Sequence, residues 1–394
     1  MPLLVEFIPS IDTVGATEWN CLATASEPFL RYEFLHALEA SGSVSAETGW
    51  QPFHITVRAA DKTLRAVMPL YIKDNSYGEY VFDWSWAHAY SRNGLDYYPK
   101  LMSSVPFTPA TGSRLLVDQS SDKQTISAAI FAATRKLAKK IDASSWHILF
   151  PEDQECQRWE DTGMLTRLGC QFHWMNDGFT SFDDFLKNFA ARKRKALKRE
   201  RRRVQQQDIK LTSYTGTEIS EVLWEAFYEF YQFTYYKRGQ QGYLNKDFFL
   251  RIAASMPENL VMVLATLHGK PVGSALCFKN DSTLFGRYWG CREEYDCLHF
   301  EACYYQGIDY CIAHGLQRFD PGAQGEHKIQ RGFIPVKTWS NHWISHPDFN
   351  EAIVRFLDDE TRGMESYRGE CCSLLPFNSQ YCKTSAVRSL IESG

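Results

Sequence analysis

The 394-residue sequence predicts an α+β fold built from two similar domains. The order of elements carries this prediction: a hairpin, a third strand, a helix and a short strand occur once in each half. The composition allows it, with 44% hydrophobic and 23% charged residues, the balance of an ordinary globular chain. No apolar run reaches the ~18 residues that a membrane-spanning helix needs. The N-terminal Met-Pro-Leu-Leu-Val-Glu-Phe lacks the basic segment of a signal peptide. A cytoplasmic location is therefore expected.

In the first half, apolar spacing predicts a helix over 29–40, ended by Gly42. Alternation over 53–58, a turn at 60–63 and a return over 64–72 read as a hairpin. A third strand is expected at 80–84 and another over 97–105. Helical spacing covers 126–141, with lysines in its last turn, and Pro151 ends a short strand over 146–150. A helix over 157–168 and a strand over 171–175 close this half.

The second half opens with Ser181 and Asp184, a capping signature for a basic helix with an apolar stripe of Phe182, Leu186, Phe189, Leu197 and Val204. A strand over 209–214 and helices over 222–236 and 246–256 follow. A second hairpin spans 260–278 around His268-Gly-Lys-Pro271, and a third strand runs over 283–289. A helix over 298–313 capped by Gly315, strands over 316–320 and 336–344, and a helix over 349–358 complete it. The expected segments are 1–177, 178–358 and a C-terminal tail, 359–394.

The net charge of -4 conceals an asymmetry. Between Arg192 and Arg203 there are nine basic side chains and one acid, Glu200. Such a block on an otherwise acidic chain suits a local anionic partner or a solvated helix face. The 11 cysteines are odd in number and none stands at C-x-x-C spacing, so reduced, buried thiols are expected rather than disulfides or zinc. His342 and His346 do not share a helical face, and no metal is expected. Dinucleotide, P-loop, kinase, nucleophile-elbow and H-E-x-x-H motifs are absent from the sequence.

Two segments are distinctive. One is Tyr77-Gly-Glu-Tyr-Val-Phe-Asp-Trp84, followed by Tyr97-Tyr-Pro-Lys-Leu101 and Val105-Pro-Phe-Thr-Pro109. The other joins Gly286-Arg-Tyr-Trp-Gly290, Leu298-His-Phe-Glu301, Phe319-Asp-Pro-Gly-Ala-Gln-Gly-Glu-His-Lys328 and Arg331-Gly-Phe333. With Arg192-Lys-Arg-Lys195, they resemble a bacterial family of N-acyltransferases related to the Fem aminoacyl transferases, named for peptidoglycan biosynthesis or recognition. The resemblance covers roughly 20–355. It implies two tandem GNAT-like acyltransferase domains and an acceptor cleft involving the first. One departure concerns the donor: Cys291-Arg-Glu-Glu-Tyr-Asp-Cys297 stands where a GNAT pyrophosphate loop would lie.

Acyl transfer to an amine needs a proton acceptor and donors for the developing oxyanion. Gln324-Gly-Glu-His-Lys328 supplies an amide, a carboxylate, an imidazole and a cation, with Gly322 and Gly325 permitting a tight backbone. Glu326 is the preferred base, His327 its rival, and His299 the next candidate. Gln324, Lys328 and Arg331 are substrate-binding candidates. Arg287 and Trp289 on the aromatic strand join them, as does Glu301, which could equally complement its helix dipole. Asp83, Trp84, Tyr98 and Lys100 are candidates for an acceptor groove. Arg194, Lys195, Lys198 and Arg201 are expected to hold donor phosphates. The expected activity moves an acyl group from a thioester or aminoacyl donor to a small-molecule or peptide amine. Acyl-CoA or aminoacyl-tRNA would serve as donor, with no tightly bound cofactor. The alternatives are a tRNA-dependent aminoacyl ligase on a cell-wall precursor and a non-catalytic binder of an anionic polymer.

Overall fold

The computed structural model describes residues 3–24, 26–237, 239–323 and 325–384. They form two compact units. The first takes the chain up to Gly169 together with Lys337–Met364; the second takes Cys170–Val336 and the chain from Glu365 on. This differs from the expected segments 1–177, 178–358 and 359–394. The reason is long-range pairing that no local pattern announces. Residues 340–344 add a strand to the first unit, and Cys371 and Phe377 enter the core of the second.

In the first unit, β1 (Leu3–Ile8), β3 (His54–Ala59), β4 (Leu64–Met68) and β7 (Leu116–Val117) form an antiparallel sheet. A second set runs β2 (Trp50–Pro52), β5 (Tyr71–Lys73), β6 (Lys100–Ser103), β8 (Ser145–Leu149) and then residues 340–344. Only the β6–β8 pair is parallel in this set. Helices α1 (Ala16–Asn20), α2 (Tyr32–Ala40), α3 (Trp84–Arg92), α4 (Lys123–Lys140) and α5 (Asp153–Glu160) complete the unit. The α4 face of Ile126, Ile130 and Leu137 packs with Ile55, Val57 and Trp146. The expected third strand at 80–84 does not form. Tyr80 has φ 63° and α3 starts at Trp84. Glu79 and Asp83 both reach Lys100, which winds this stretch into a loop. The helix expected over 157–168 ends at Glu160, because the chain is already extended from Leu165.

In the second unit, β9 (Leu165–Met175) contributes its last residues to a sheet with β10 (Ile209–Thr215), β11 (Leu260–Leu267), β12 (Lys270–Lys279), β13 (Thr283–Cys291) and β14 (Arg318–Asp320). The order is β10-β11-β12-β13-β14-β9, antiparallel except for β13 and β14. The basic helix is two helices, α6 (Phe182–Lys187), capped by Ser181, and α7 (Ala191–Gln206). Then come α8 (Glu221–Tyr236) and α9 (Lys246–Ser255). After β13 lie α10 (Leu298–Phe300), a π-helical turn at Glu301–Tyr305 and α11 (Gln306–His314). Strand β15 (Ile334–Ile344), α12 (Pro347–Ser373) and α13 (Ser379–Thr384) follow. Gly290 allows α8 to lie directly on β13: a Cβ there would stand 2.0 Å from the Phe230 carbonyl oxygen. That approach lets the Thr234 hydroxyl donate to the Trp289 carbonyl at 2.8 Å.

Candidate functional site

The site grows from a splay in the second sheet. Strands β13 and β14 pair in parallel only over Thr283–Phe285 and Arg318–Asp320. Beyond Asp320 the chain turns away at Pro321, while β13 continues to Cys291. A cavity of about 500 Å³ is lined on the β13 side by Gly286 to Trp289 and on the other by Pro321, Ala323, Gly325, His327 and Lys328. This volume suits a small-molecule site. Its far wall holds His299, Cys303 and Tyr304 from the helix after β13.

A bulge aims Arg287. The β12–β13 register passes from Leu276↔Tyr288 to Cys277↔Gly286, so Arg287 is the extra residue. Its guanidinium grips Asp320 at 2.8 and 3.4 Å. Asp320 also accepts from the Gly322 amide at 2.8 Å. Burial alone would raise this carboxyl, but Arg287 and then His173 hold it well below the carboxylate range. Arg287 is thus part of the cavity wall and is tied to Asp320.

The turn after β14 uses positive φ at Gly322 (89°) and Gly325 (105°). It delivers Glu326–Arg331 as a 3-10 helix. Lys328 is buried, and its ammonium donates to the Gly322 carbonyl at 2.6 Å. Burial pulls it down to about 8. His327 Nε2 lies 2.8 Å from the Tyr304 hydroxyl. Partial burial, then Arg331 and Lys328, lower the His327 imidazole. His299 packs on Trp289 and Tyr304 and lies 6.2 Å from His327, ring to ring. Burial, then His327 and the nearby cations, push it down to about 4. Both imidazoles are therefore neutral near pH 7. Burial pushes the Tyr304 phenol above its ordinary range, so it keeps its proton.

Other expected residues fall elsewhere. Glu326, the preferred base, is exposed, accepts from the Tyr367 hydroxyl at 3.0 Å and does not line the cavity. The 3-10 turn points it away from the cavity, whereas His327, also solvent-exposed, lies on the cavity rim. Arg331 does not line the cavity either: it stacks 3.4 Å above Phe300 and bonds Glu200 at 3.0 and 3.1 Å and the His327 carbonyl at 2.7 Å. Glu301 is buried in a pair with Arg201. Gln324 lies outside the described residues.

Helix α7 divides into two faces. Arg201 is internal, held by Glu301 and Asp309 at 2.8 and 2.7 Å, which removes it from the expected phosphate-binding set. Lys198 pairs with Asp183 at 2.7 Å, and Arg194 reaches the Lys187 carbonyl at 3.5 Å. Lys195 is exposed and, with Arg192, Arg199 and Arg202, forms an outward row at helical spacing.

In the first unit, Asp83 and Lys100 do come together. The buried Lys100 ammonium bonds Asp83, Glu79 (2.8 Å) and Ser76 (2.8 Å). Tyr97 donates to Asp83 at 2.7 Å and lies 3.2 Å from His147, which is 2.7 Å from His342. Tyr98 reaches Ser76 at 2.8 Å, and Trp84 is exposed, edge-on to Tyr77. This is a buried charge network beneath exposed rings.

The geometry was partly hidden from sequence reading. Tyr304, Glu200 and Thr234 carried no motif; the one available signal was Glu200, the lone acid in the basic run. The family model for FemAB-like proteins, described as peptidoglycan biosynthesis/recognition, matches residues 10–379. The chain belongs to this FemAB-like family. Its fold is that of tandem GNAT-like domains. The structure of FemX is similar with TM-score 0.50 and 13% identity, covering 82% of this chain and 94% of that one. A C-terminal domain named for lysylphosphatidylglycerol synthetase, from Agrobacterium fabrum, gives TM-score 0.53 and 7% identity over 86% and 94%. A tandem GNAT protein of clavulanic acid biosynthesis gives 0.47 and 12% over 88% and 99%. No curated protein sequence matches. Among the described residues of this FemAB-like chain, no helix is long and apolar enough to cross a membrane.

Proposed function

We propose that this FemAB-like protein is an N-acyltransferase whose chemistry takes place in the cavity between the splayed ends of β13 and β14. The carrying observation is the contact between His327 Nε2 and the Tyr304 hydroxyl, 2.8 Å apart on the cavity wall, with the imidazole lowered and the phenol raised by burial. With Nε2–H donating to Tyr304, Nδ1 of His327 takes the proton from the attacking amine. The Tyr304 O–H then donates to the oxyanion that develops on the acyl carbonyl; the adduct collapses with cleavage of the bond from the carbonyl carbon to the donor's sulfur or ester oxygen, and His327 returns its proton from Nδ1 to the departing thiolate or alkoxide. His299, also neutral, closes the wall. The donor is a thioester or an aminoacyl ester. The outward row of Arg192, Lys195, Arg199 and Arg202 favours a donor whose carrier bears phosphates, as CoA and tRNA both do.

Single-turnover acyl transfer from a panel of thioesters and aminoacyl esters tests this. His327→Gln loses about 10²-fold in rate while donor binding persists. Tyr304→Phe loses rate in the same direction, and Glu326→Gln reacts like the parent. Equal rates for the parent, His327→Gln and Tyr304→Phe place the chemistry elsewhere.

A further inference from the structure

The charges around the cavity do not balance. The described lining residues include two cations, Arg287 and Lys328, and no Asp or Glu. The acid that approaches them, Asp320, sits behind the wall and is gripped by Arg287. Lys328 is 2% exposed, and its hydrogen bonds go to the Gly322 and Ala323 carbonyls at 2.6 and 3.4 Å. Carbonyl dipoles solvate an ammonium but do not neutralise it. A buried cation in this position favours an anion, because unit charges attract strongly where water is thin. The His299 and His327 rings add no negative charge. Nothing in the described wall offers the carboxylate that a substrate ammonium would require.

We infer that the substrate group seated against Lys328 carries a carboxylate and no ammonium. The inference rests on the proposed acyl transfer in the same cavity and narrows its substrate class. The carboxylate would come either from the acyl group, as in a dicarboxylic acyl donor, or from the acceptor, as in an amino acid or a peptide terminus. In either case Lys328 and the substrate carboxylate complete an ion pair that the empty wall lacks. The positive charge left over after Asp320 is shared between Arg287 and Lys328 also acts on the acceptor. It lowers the pKa of an approaching ammonium and so favours the neutral, nucleophilic amine.

A series of equal length tests the charge directly: succinate, succinamide and 1,4-diaminobutane, titrated into the full chain by calorimetry. Succinate should bind at least tenfold more tightly than succinamide, and diaminobutane should not bind. Lys328→Met should erase the preference and Lys328→Arg should keep it. If Lys328→Met does not fold, Lys328→Gln, which keeps a donor for the Gly322 carbonyl without the charge, takes its place and should likewise erase the preference. Equal affinities, or a preference that Lys328→Met leaves intact, overturn the inference.

The source of the carboxylate is then read from turnover. A hemisuccinyl thioester is compared with a propionyl thioester, and an amino acid acceptor with its amide. The arm whose preference falls at least tenfold in Lys328→Met carries the group, and no preference in either arm overturns the inference. The two readings fail separately. Turnover that depends on His327 without a succinate preference removes only the carboxylate. A succinate preference without such turnover removes only the acyl transfer.

Discussion

Replacing Arg201 by alanine should damage the fold of the second unit rather than its binding of anions. Arg201 is one of nine cations in sequence, yet it is turned inward into a pair of carboxylates. Its guanidinium holds Glu301 at 2.8–3.2 Å and Asp309 at 2.7 Å, and it stacks 4.5 Å from the Phe182 ring. The Glu301 side chain is 5% exposed and that of Arg201 24%. Removing one partner of a buried pair costs about 3–5 kcal/mol. The partial exposure of Arg201 and Asp309, and the Gln306 amide that still reaches Glu301, reduce this to about 2–4 kcal/mol. In a unit of this size each kcal/mol shifts Tm by about 2–4 °C, so a drop of roughly 4–16 °C is expected. Scanning calorimetry measures it, with Arg199→Ala as the outward control, expected within about 0.5 kcal/mol of the parent. The double variant Arg201→Ala/Glu301→Gln should recover part of the loss, because the stranded charge is gone. An Arg201→Ala protein that melts with the parent yet loses affinity for a phosphate-bearing donor would refute the inward assignment.

Three further outcomes are expected. Arg199→Ala with Arg202→Ala should keep the parent Tm and weaken binding of a phosphate-bearing donor, with a shallower salt dependence; unchanged salt dependence makes the row a solvated face. Gly290→Ala should cost at least about 1–3 kcal/mol and reduce donor turnover, because its Cβ would meet the Phe230 carbonyl and push α8 and Thr234 off β13; denaturant midpoints and single-turnover rates check this. Below pH 6.5 the first unit should lose stability: burial pushes His147 down to about 3 and His342 well below its usual value, so the unfolded chain takes up protons that the folded one refuses. Glu79, raised to about 7 by burial, acts in the opposite direction. The net, about one group, is about 1.4 kcal/mol per pH unit, or about 2 kcal/mol between pH 6.5 and 5, read from urea midpoints; in His147→Gln/His342→Gln the Glu79 contribution remains and the dependence should reverse sign.

Local periodicity showed most of the elements and little of their assembly. The 260–278 hairpin and the 222–236 helix follow from alternation and from helical aromatic spacing, and both formed. Tyr80-Val-Phe-Asp-Trp84 looked like a strand because aromatic and β-branched residues favour pleated surfaces. Two carboxylates drawn to one buried lysine overrode that preference, and Trp86 and Tyr90, four apart, set the helical face instead. The return of residues 337–364 to the first unit rests on pairing between Ser340–Ile344 and β8, nearly two hundred residues earlier, which has no local signature. The cavity segment was visible as a dense polar cluster between glycines. Which of Glu326 and His327 lined the cavity was not, because neighbours in a 3-10 helix point about 120° apart. Tyr304 lay hidden in an aromatic run, and the π-helical turn that carries it shifts the helical register there.

The lone acid of the basic helix links its two roles. Leu197 and Val204 bury one side of α7, and Glu200 and Arg201 project from that same side. Arg192, Lys195, Arg199 and Arg202 project from the opposite one, as the 100° step per residue requires. Glu200 accepts from Arg331 and from the Tyr305 hydroxyl. Arg331 in turn covers Phe300, next to His299, and donates to the His327 carbonyl. A chain of contacts therefore runs from the helix to both cavity histidines. It also explains why a helix so rich in cations keeps one acid. Without Glu200, Arg331 would be buried with no carboxylate partner and the backbone of His327 would lose its brace. Glu200→Gln keeps the shape but removes the charge, so it should affect turnover through the placement of His327, leaving the outward row and its anion binding intact. A fall in kcat with unchanged salt dependence of donor binding fits this coupling, whereas equal losses in both would mean that the two faces of α7 are not separate.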